Sequence, residues 1–369
     1  MSRREFLSRA GAAGLAAAVT GLPALPARAQ ARFAPQPGAW QTYEVTTRIE
    51  LTRPAGVARA WIPLPSVDEP GWVRNLGDEW TGNASRARLA SDGVYHARMV
   101  AAEWAPGVDV AVLSATSRFA TRDRAVDLGK GRAAAPLDAA TARFYTAPTE
   151  LIRTDGIVRA TAQKIVATAK SDEARARAIY DWICERTSRN PKTRGCGLGD
   201  VTAMLESGDL SGKCADLNAL YVGLARAVGL PARDVYGLRV APSAFGYRSL
   251  GAGTANVTRA QHCRAEVFLA RHGWVPVDPA DVRKVILEEP PGTLTLADAK
   301  VKDARQALFG AWEMNWLPYN TAHDVALPGA RGAKLPFLMY PQAETASGRL
   351  DELDPDNFKY TITARSLAS

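Results

Sequence analysis

The segment that most constrains this chain runs from Cys214 to Val228. Leu217, Tyr221, Leu224 and Val228 recur there at three- and four-residue steps, and Gly229 and Pro231 follow at once. That spacing predicts an amphipathic helix with a core-facing stripe, stopped by glycine and proline. Cys214 lies three residues before Leu217 and so falls on the same face, in the first turn, pointing inward. Downstream, Arg233–Val240, Arg264–Leu269 and Trp274–Val277 read as strands, the last two joined by a tight turn through His272-Gly273. A core helix laid on antiparallel strands is an α+β arrangement.

Earlier segments extend this picture. From Tyr43 to Leu51 the odd positions are Tyr, Val, Thr, Ile and Leu, and the even ones are largely polar. Alternation of period two predicts a half-buried strand. Val57–Ile62, Val94–Val100 and Val108–Phe119 read as further strands, which together suit a small antiparallel sandwich. Gly129–Leu137 is rich in Gly and Ala and reads as a linker. Thr154 and Asp155 can cap a helix to about Ala169, Ser171 opens the next, and Asp200 caps a short one to Glu206. The chain therefore divides into a leader (1–29), an N-terminal β domain (30–135), a core (136–300) and a C-terminal extension (301–369). The extension holds an aromatic segment (Trp312, Trp316, Tyr319) and ends in a strand at Phe358–Ile362.

The first residues bound location. Ser2-Arg3-Arg4-Glu5-Phe6-Leu7 is a twin-arginine pattern, a modestly apolar stretch follows from Ala10 to Leu22, and Ala27-Arg28-Ala29 offers small residues to a signal peptidase. The stretch is too short and Gly-rich to span a bilayer, which needs about 20 apolar residues. The expected product is periplasmic or secreted, passes through the twin-arginine export machinery, and has no membrane span. The full chain carries a net charge of +8. Without the leader's four Arg and one Glu it has 42 basic and 37 acidic residues, scattered along the chain. That argues for a solubilising surface and against nucleic acid as a partner, while leaving a weak attraction to an anionic cell wall. Of the four cysteines, Cys184, Cys196, Cys214 and Cys263, no two form a CxxC, and the chain has four His. Neither a zinc site nor a cofactor is expected from those spacings. The four cysteines allow three complete disulfide pairings, and sequence does not choose among them.

Three residues can carry chemistry. A thiol is a nucleophile only as thiolate, and the first turn of a helix supplies free N–H groups and the positive dipole end that favour it. Lys213 adds a neighbouring cation to Cys214, and Gly208 and Gly212 allow close backbone approach. A buried Cys that only packs is the alternative. His262 stands just before a core strand and can take and return a thiol proton. The other histidines fall in the sandwich (His96), the hairpin turn (His272) and the tail (His323). Asp278 ends the return strand and can orient an imidazole, although Asp-Pro is also an ordinary strand-ending turn. Pairing Leu269 with Trp274 would put Ala265, not His262, opposite Asp278, so His262 must reach diagonally or a bulge must shift the register. Gly195-Cys196-Gly197-Leu198-Gly199 follows no convincing strand and does not read as a phosphate loop.

Three separated segments, Gly212-Lys213-Cys214-Ala215-Asp216, Ala227-Val228-Gly229-Leu230-Pro231-Ala232-Arg233, and His262 with Gly273-Trp274-Val275-Pro276-Val277-Asp278-Pro279, resemble the transglutaminase-like superfamily in the family's order. The resemblance covers roughly residues 150–285. It implies a papain-like fold and a catalytic Cys, His and Asp, which fall on Cys214, His262 and Asp278. It also implies acyl transfer through a thioester. Hydrolysis of an amide or peptide bond is the expected outcome, on a protein or peptide substrate with cell-wall peptide as one candidate. A cross-linking transglutaminase and a non-catalytic scaffold are the alternatives. The family often has an aromatic residue two positions after the His, where this chain has Arg264. The Cys214 N–H is a natural oxyanion donor, with Trp182 or Asn190 as candidates for a second by side-chain type. Asp216 is read as supporting the helix start. Export by the twin-arginine route is tested by changing Arg3 and Arg4 both to Lys. Uncleaved precursor is then expected in the cytoplasmic fraction on an immunoblot, and an unchanged periplasmic yield would point to the general secretory route.

Overall fold

Period-two alternation builds the first layer. The computed structural model describes residues 32–130 and 134–367; the expected leader lies outside them. Strands β1 (Gln41–Thr52), β2 (Ala58–Pro63), β3 (Val73–Gly82), β4 (Arg86–Ser91), β5 (Arg98–Trp104) and β6 (Val110–Thr121) come first. Helices follow: α1 (Ala139–Phe144), α2 (Gly156–Ile165), α3 (Asp172–Arg186), α4 (Val201–Ser207) and α5 (Cys214–Ala227). Next are strands β7 (Ala232–Arg239), β8 (Gln261–Leu269) and β9 (Gly273–Val277), then helices α6 (Pro279–Glu288) and α7 (Ala299–Ala307). The chain closes with β10 (Trp316–Asn320), β11 (Gln342–Thr345), β12 (Gly348–Arg349) and β13 (Lys359–Leu367).

Three antiparallel sheets of four or five strands result, beside three two-stranded ribbons among the described residues. One has the order β13-β1-β6-β3, and a second β12-β11-β2-β5-β4. Between these two lies a core that includes Ile49, Leu51, Ile62, Val100 and Leu113, which makes the expected small sandwich. In β1 the odd residues Tyr43, Val45, Thr47, Ile49 and Leu51 are buried, as their alternation requires. Its two ends serve different cores, since Tyr43 and Val45 pack in the larger cluster around α5. The sandwich is not built from the N-terminal residues alone. β11, β12 and β13 come from the C-terminal residues, and β10 joins the third sheet, β9-β8-β7-β10. Residues from 301 onward thus thread through all three sheets.

The third sheet carries α5. Every residue of α5 is buried, against β7, β8, α2 and α3. The stripe read from the sequence is one face of a helix enclosed on all sides, as all-round burial demands. Two of its buried polar residues donate to the backbone: Arg226 to the Ala232 and Ala147 carbonyls at 2.8 and 3.0 Å, and Asn218 Nδ2 to the Cys263 carbonyl at 2.8 Å, while the Tyr221 hydroxyl has no partner. The β8–β9 hairpin pairs Leu269 with Gly273 and Ala265 with Val277, one residue off the expected pairing. The turn closes at Gly273, whose φ of +74° suits glycine. Asp278 therefore follows on from the partner of Ala265, level with Arg264, and His262 lies two residues beyond on the same strand.

Under His262 the packing is tight. Gly237 of β7 pairs with His262, and Trp316 Nε1 donates to the His262 carbonyl at 3.0 Å. A Cβ on Gly237 would sit 2.3 Å from the Leu317 carbonyl oxygen and 2.5 Å from the Trp316 ring. Gly237→Ala is accordingly expected to destabilise the protein by about 1–3 kcal/mol through overpacking, read as a lowered denaturant midpoint. An unchanged midpoint would show that this strand can move away from Trp316.

Candidate active site

Two helix starts and one strand converge on the site. Cys214 opens α5, preceded by an extended Lys213 whose N–H donates to Asp216 Oδ2 at 2.9 Å. The other Asp216 oxygen accepts from the Leu198 and Gly199 N–H groups at 3.0 Å each. Asp216 thus caps the helix, as read from the sequence, and also ties the Gly195–Gly199 loop beneath it. Gly197, at φ +93°, has no room for a side chain, since a Cβ would lie 1.9 Å from the Asp216 carboxylate. The loop brings Cys196 to Cys214, and the Ala215 N–H donates to the Cys196 carbonyl at 2.9 Å.

The structure brings Cys214, His262 and Asp278 together. His262 Nε2 lies 2.7 Å from Asp278 Oδ2 and 3.4 Å from Asp281 Oδ2. Both carboxylates face that nitrogen, which leaves Nδ1 as the free ring nitrogen, and His262 lines the same cleft as Cys214 and lowers its pKa. Asp278 is more than a turn residue. It is the N-cap of α6, with Oδ1 accepting from the Asp281 N–H at 3.0 Å and Pro279 in the first helical position. Asn218 Nδ2 approaches Oδ1 at 3.4 Å, and Arg264 Nε approaches Oδ2 at 3.6 Å.

Sequence reasoning missed Asp281, Arg239, Asn218 and Cys196. Asp281 sits three residues after the cap, on the same side of the helix start, and that i, i+3 spacing was the available signal. Arg239 grips both Asp281 oxygens at 2.6 and 2.8 Å. Arg264 fills the place of the family's aromatic residue. It lies over the Trp316 ring at 4.6 Å and donates to the Glu313 carbonyl at 3.0 Å. The two residues considered as a second oxyanion donor do not serve. Asn190 is turned to Ser211 at 3.3 Å and Trp182 packs against the core from α3, and neither lines the cleft.

The electrostatics favour a charged pair. The Cys196 thiol, then the Cys263 thiol, each within 4.8 Å of the Cys214 sulfur, hold its pKa well below the ordinary value against burial, and His262 lowers it further. Burial and Arg239 push the His262 imidazolium towards neutrality, but Asp281, Asp278 and the hydrogen bond to Asp278 outweigh them and raise its pKa to about 9. Burial and then the Asp281 charge push Asp278 up. Burial opposes ionisation of Asp281 as well, yet Arg239 and then His262 hold it well below the carboxylate range. Burial lowers Arg264 to about 10.

A cleft of about 450 Å³ opens over Cys214 and His262. A larger cavity, about 830 Å³, shares Cys196 and Tyr340 with it but reaches neither Cys214 nor His262. Chemistry at the thiol therefore belongs to the smaller one. Its wall is cationic: Arg189, Arg194, Lys213, Arg239, Arg259 and Lys284 line it, against the carboxylate of Glu352. Two clusters there could hold a metal: the Cys196, Cys214 and Cys263 sulfurs, and the ligand atoms of His262, Asp278 and Asp281, each set within 4.8 Å.

A cysteine at the start of a core helix, packed on an antiparallel sheet that carries the histidine, defines a papain-like cysteine fold. A family model of the transglutaminase-like superfamily matches residues 159–279. A Haemophilus influenzae protein, described only as an uncharacterized protein, is 35% identical over 343 residues, covering 88% of this chain and 91% of that protein. The chain belongs to the transglutaminase-like superfamily. A solved structure of a candidate cysteine protease from Cytophaga hutchinsonii shares the fold, with a TM-score of 0.51, 16% identity, and coverage of 89% of this chain and 99% of that one. The periplasmic domain of TgpA from Pseudomonas aeruginosa aligns with a TM-score of 0.33 and 14% identity, over 68% of this chain and 90% of that one. No helix among the described residues is long and apolar enough to cross a membrane.

These shifts predict a pH profile. Cys214 should react with iodoacetamide at pH 6 ahead of Cys184, Cys196 and Cys263, because burial or hydrogen bonding raises the pKa of each of those three. The imidazolium should be lost as pH rises through about 9. A His whose pKa is raised on folding stabilises the protein below its unfolded value of roughly 6.5, and that contribution fades as pH rises through the folded value. Stability should therefore fall across that window in the wild type and stay flatter in His262→Gln. Mass-spectrometric labelling and melts from pH 6 to 10 check both; equal labelling of all four cysteines would overturn the charged pair.

Proposed function

We propose that this chain is an exported cysteine enzyme that cleaves an amide or peptide bond through a thioester on Cys214. The carrying observation is that His262, held by Asp278 at 2.7 Å, shares one open cleft with Cys214 and lies buried at its foot. In the first half-reaction the Cys214 thiolate attacks the carbonyl carbon. The C–N bond breaks, and the His262 imidazolium gives its proton to the leaving amine. In the second, His262 takes a proton from water, the hydroxide attacks the thioester, and the C–S bond breaks to return the thiolate and release the acid. Asp278 keeps the ring oriented and offsets its charge. The Cys214 N–H, free of an intrahelical partner at the helix start, supports the developing oxyanion.

The cleft supports a substrate class. Among the described residues neither Lys213 nor Arg259 has an ion-pair partner, whereas Arg189, Arg194 and Arg239 are each paired with a carboxylate. Two uncommitted cations over the thiol favour an acyl donor with a carboxylate close to the scissile bond, such as an acidic peptide or a peptide with a free C-terminus. Release to the periplasm would follow from the twin-arginine leader.

The test is turnover of such amide and ester substrates by the mature protein and its variants. Cys214→Ala should remove thioester formation, a loss on the order of 10⁶-fold where triads have been dissected. Asp278→Ala should cost less, on the order of 10⁴-fold, and Asp278→Asn less again, because its one amide oxygen can still accept from the ring, although the cap on α6 then loses its acceptor. Thermal melts must accompany Asp278→Ala, since losing the cap costs about 1 kcal/mol by itself. Full activity in Asp278→Ala would leave Asp278 as a cap alone. Incorporation of a labelled primary amine without hydrolysis would replace the hydrolase reading by a cross-linking one.

A further inference from the structure

We propose that Cys196, Cys214 and Cys263 form a binding site for a soft monovalent cation of the Cu(I) class, and that the ion, once bound, occupies the nucleophile. Three segments far apart in the chain supply the sulfurs: the Gly195–Gly199 loop, the start of α5 and strand β8. No CxxC spacing announces the site, because the fold and not the local sequence assembles it. All three sulfurs lie within 4.8 Å of one another and all three residues are buried. No cysteine among them is in a disulfide.

The donor set selects the ion. Thiolates and thioethers favour Cu(I), whereas carboxylate and carbonyl sets favour harder ions. Beside the three sulfurs lies a fourth soft atom, Met339 Sδ, 3.9 Å from Cys263 Sγ. One hard atom, the Gln261 carbonyl oxygen, lies 3.5 Å from Cys196 Sγ. The hard carboxylates of Asp278 and Asp281 are already taken by His262, Asp281 N–H and Arg239. The ion has a path, since Cys196 and Cys214 both line the cleft. Binding moves no electrons. Cys214 enters as thiolate, Cys196 and Cys263 each release one proton, and three Cu–S bonds form. The resulting unit carries two negative charges, one more than the Cys214 thiolate alone, beside the cations Arg239 and His262.

With the thiolate committed to the metal, the nucleophile is unavailable. That consequence alone rests on the proposed function, whereas occupancy does not. The experiment titrates reduced, mature protein with Cu(I) under anaerobic conditions against the competing chelator bathocuproine disulfonate. Retained copper and the ultraviolet thiolate-to-copper absorption are the readouts. One Cu(I) per chain is expected. Cys196→Ser should weaken retention at least as much as loss of an outer-shell partner does, roughly 10–100-fold. Cys184→Ser, outside the cluster, should leave it unchanged, and bound copper should protect Cys214 from iodoacetamide. Cys263→Ser lies in the core, so Cys196→Ser on the cleft wall is the decisive variant. No retention by folded wild-type protein, equal retention by Cys196→Ser, or retention of Zn(II) without Cu(I) would each overturn the proposal. Turnover is measured separately. Protein that holds copper yet cleaves nothing would sink the hydrolase reading and leave the metal site standing.

Discussion

The cleft depends on one buried hydrogen bond, His262 to Asp278, and on the charges that let it exist. His262, Arg239 and Arg264 can be positive; Asp278, Asp281 and the Cys214 thiolate can be negative; none of the six is more than 3% exposed. Desolvating an ion costs several kcal/mol, and leaving one unpaired in the interior typically costs about 3–5 kcal/mol. The set is tolerable because it balances, three against three. The elements are arranged to supply that balance. β7 and β8 bring the cations, the first turn of α6 brings both carboxylates, and the first turn of α5 brings the thiol. Each anion sits at a helix N-terminus, where the dipole favours it. Arg264 in place of an aromatic residue fits the same logic, because it adds a cation beside Asp278 while its guanidinium still stacks on Trp316 as a ring would.

The layers around the sheet hold this cluster in register. Farther along β8, Glu266 takes Arg124 and Arg233 together, and Arg124 is stacked between Trp72 and Trp312 at 4.7 and 5.0 Å. Arg124 follows β6, so this contact fastens the sandwich to β8, the strand that carries His262. The last strand fastens it again. β13 pairs with β1 along most of its length, and it also bonds Val257 N–H to the Ile362 carbonyl at 2.8 Å. Ile362 N–H in turn donates to Thr258 Oγ1 at 2.8 Å. Those bonds pin the segment just ahead of His262. A histidine that must meet a carboxylate at 2.7 Å needs its strand held from both ends.

What could be read in the sequence was local. The stripe Leu217, Tyr221, Leu224, Val228 located α5, and the alternation in 43–51 located β1, because burial writes its period into neighbouring residues. β3 and β4 were missed because most of their side chains are exposed, so nothing apolar marks them. α6 was missed because Asp278-Pro279 reads equally as a turn and as a cap followed by proline at N1. The hairpin register was off by one because Gly273, read as part of the turn, is the first paired residue. Arg239, Asn218, Asp281 and Cys196 were not legible as site residues. Each matters through a partner tens of residues away, and no short-range pattern carries that. The C-terminal residues were read as an extension because strands that join sheets begun some 300 residues earlier leave no local sign of their partners.

The thiol cluster sets two demands on one geometry. As thiols, Cys196 and Cys263, within 4.8 Å of the Cys214 sulfur, favour its thiolate form, which is what a nucleophile needs. As thiolates they would repel it, and only a cation between them could keep the three together. The protonated state and the metal-bound state therefore use the same contacts and exclude each other. Burial decides which dominates without metal. It raises the pKa of Cys263 and adds to the rise at Cys196, whose first cause is Cys214 itself, so both stay protonated and the donor arrangement persists. A soft cation reverses that preference by giving the second and third negative charges a counter-ion. The closeness that sharpens the nucleophile is thus the closeness that lets a metal ion silence it. Moving Cys196 away to spare the enzyme from metal would also remove the neighbour that contributes most to holding Cys214 as a thiolate.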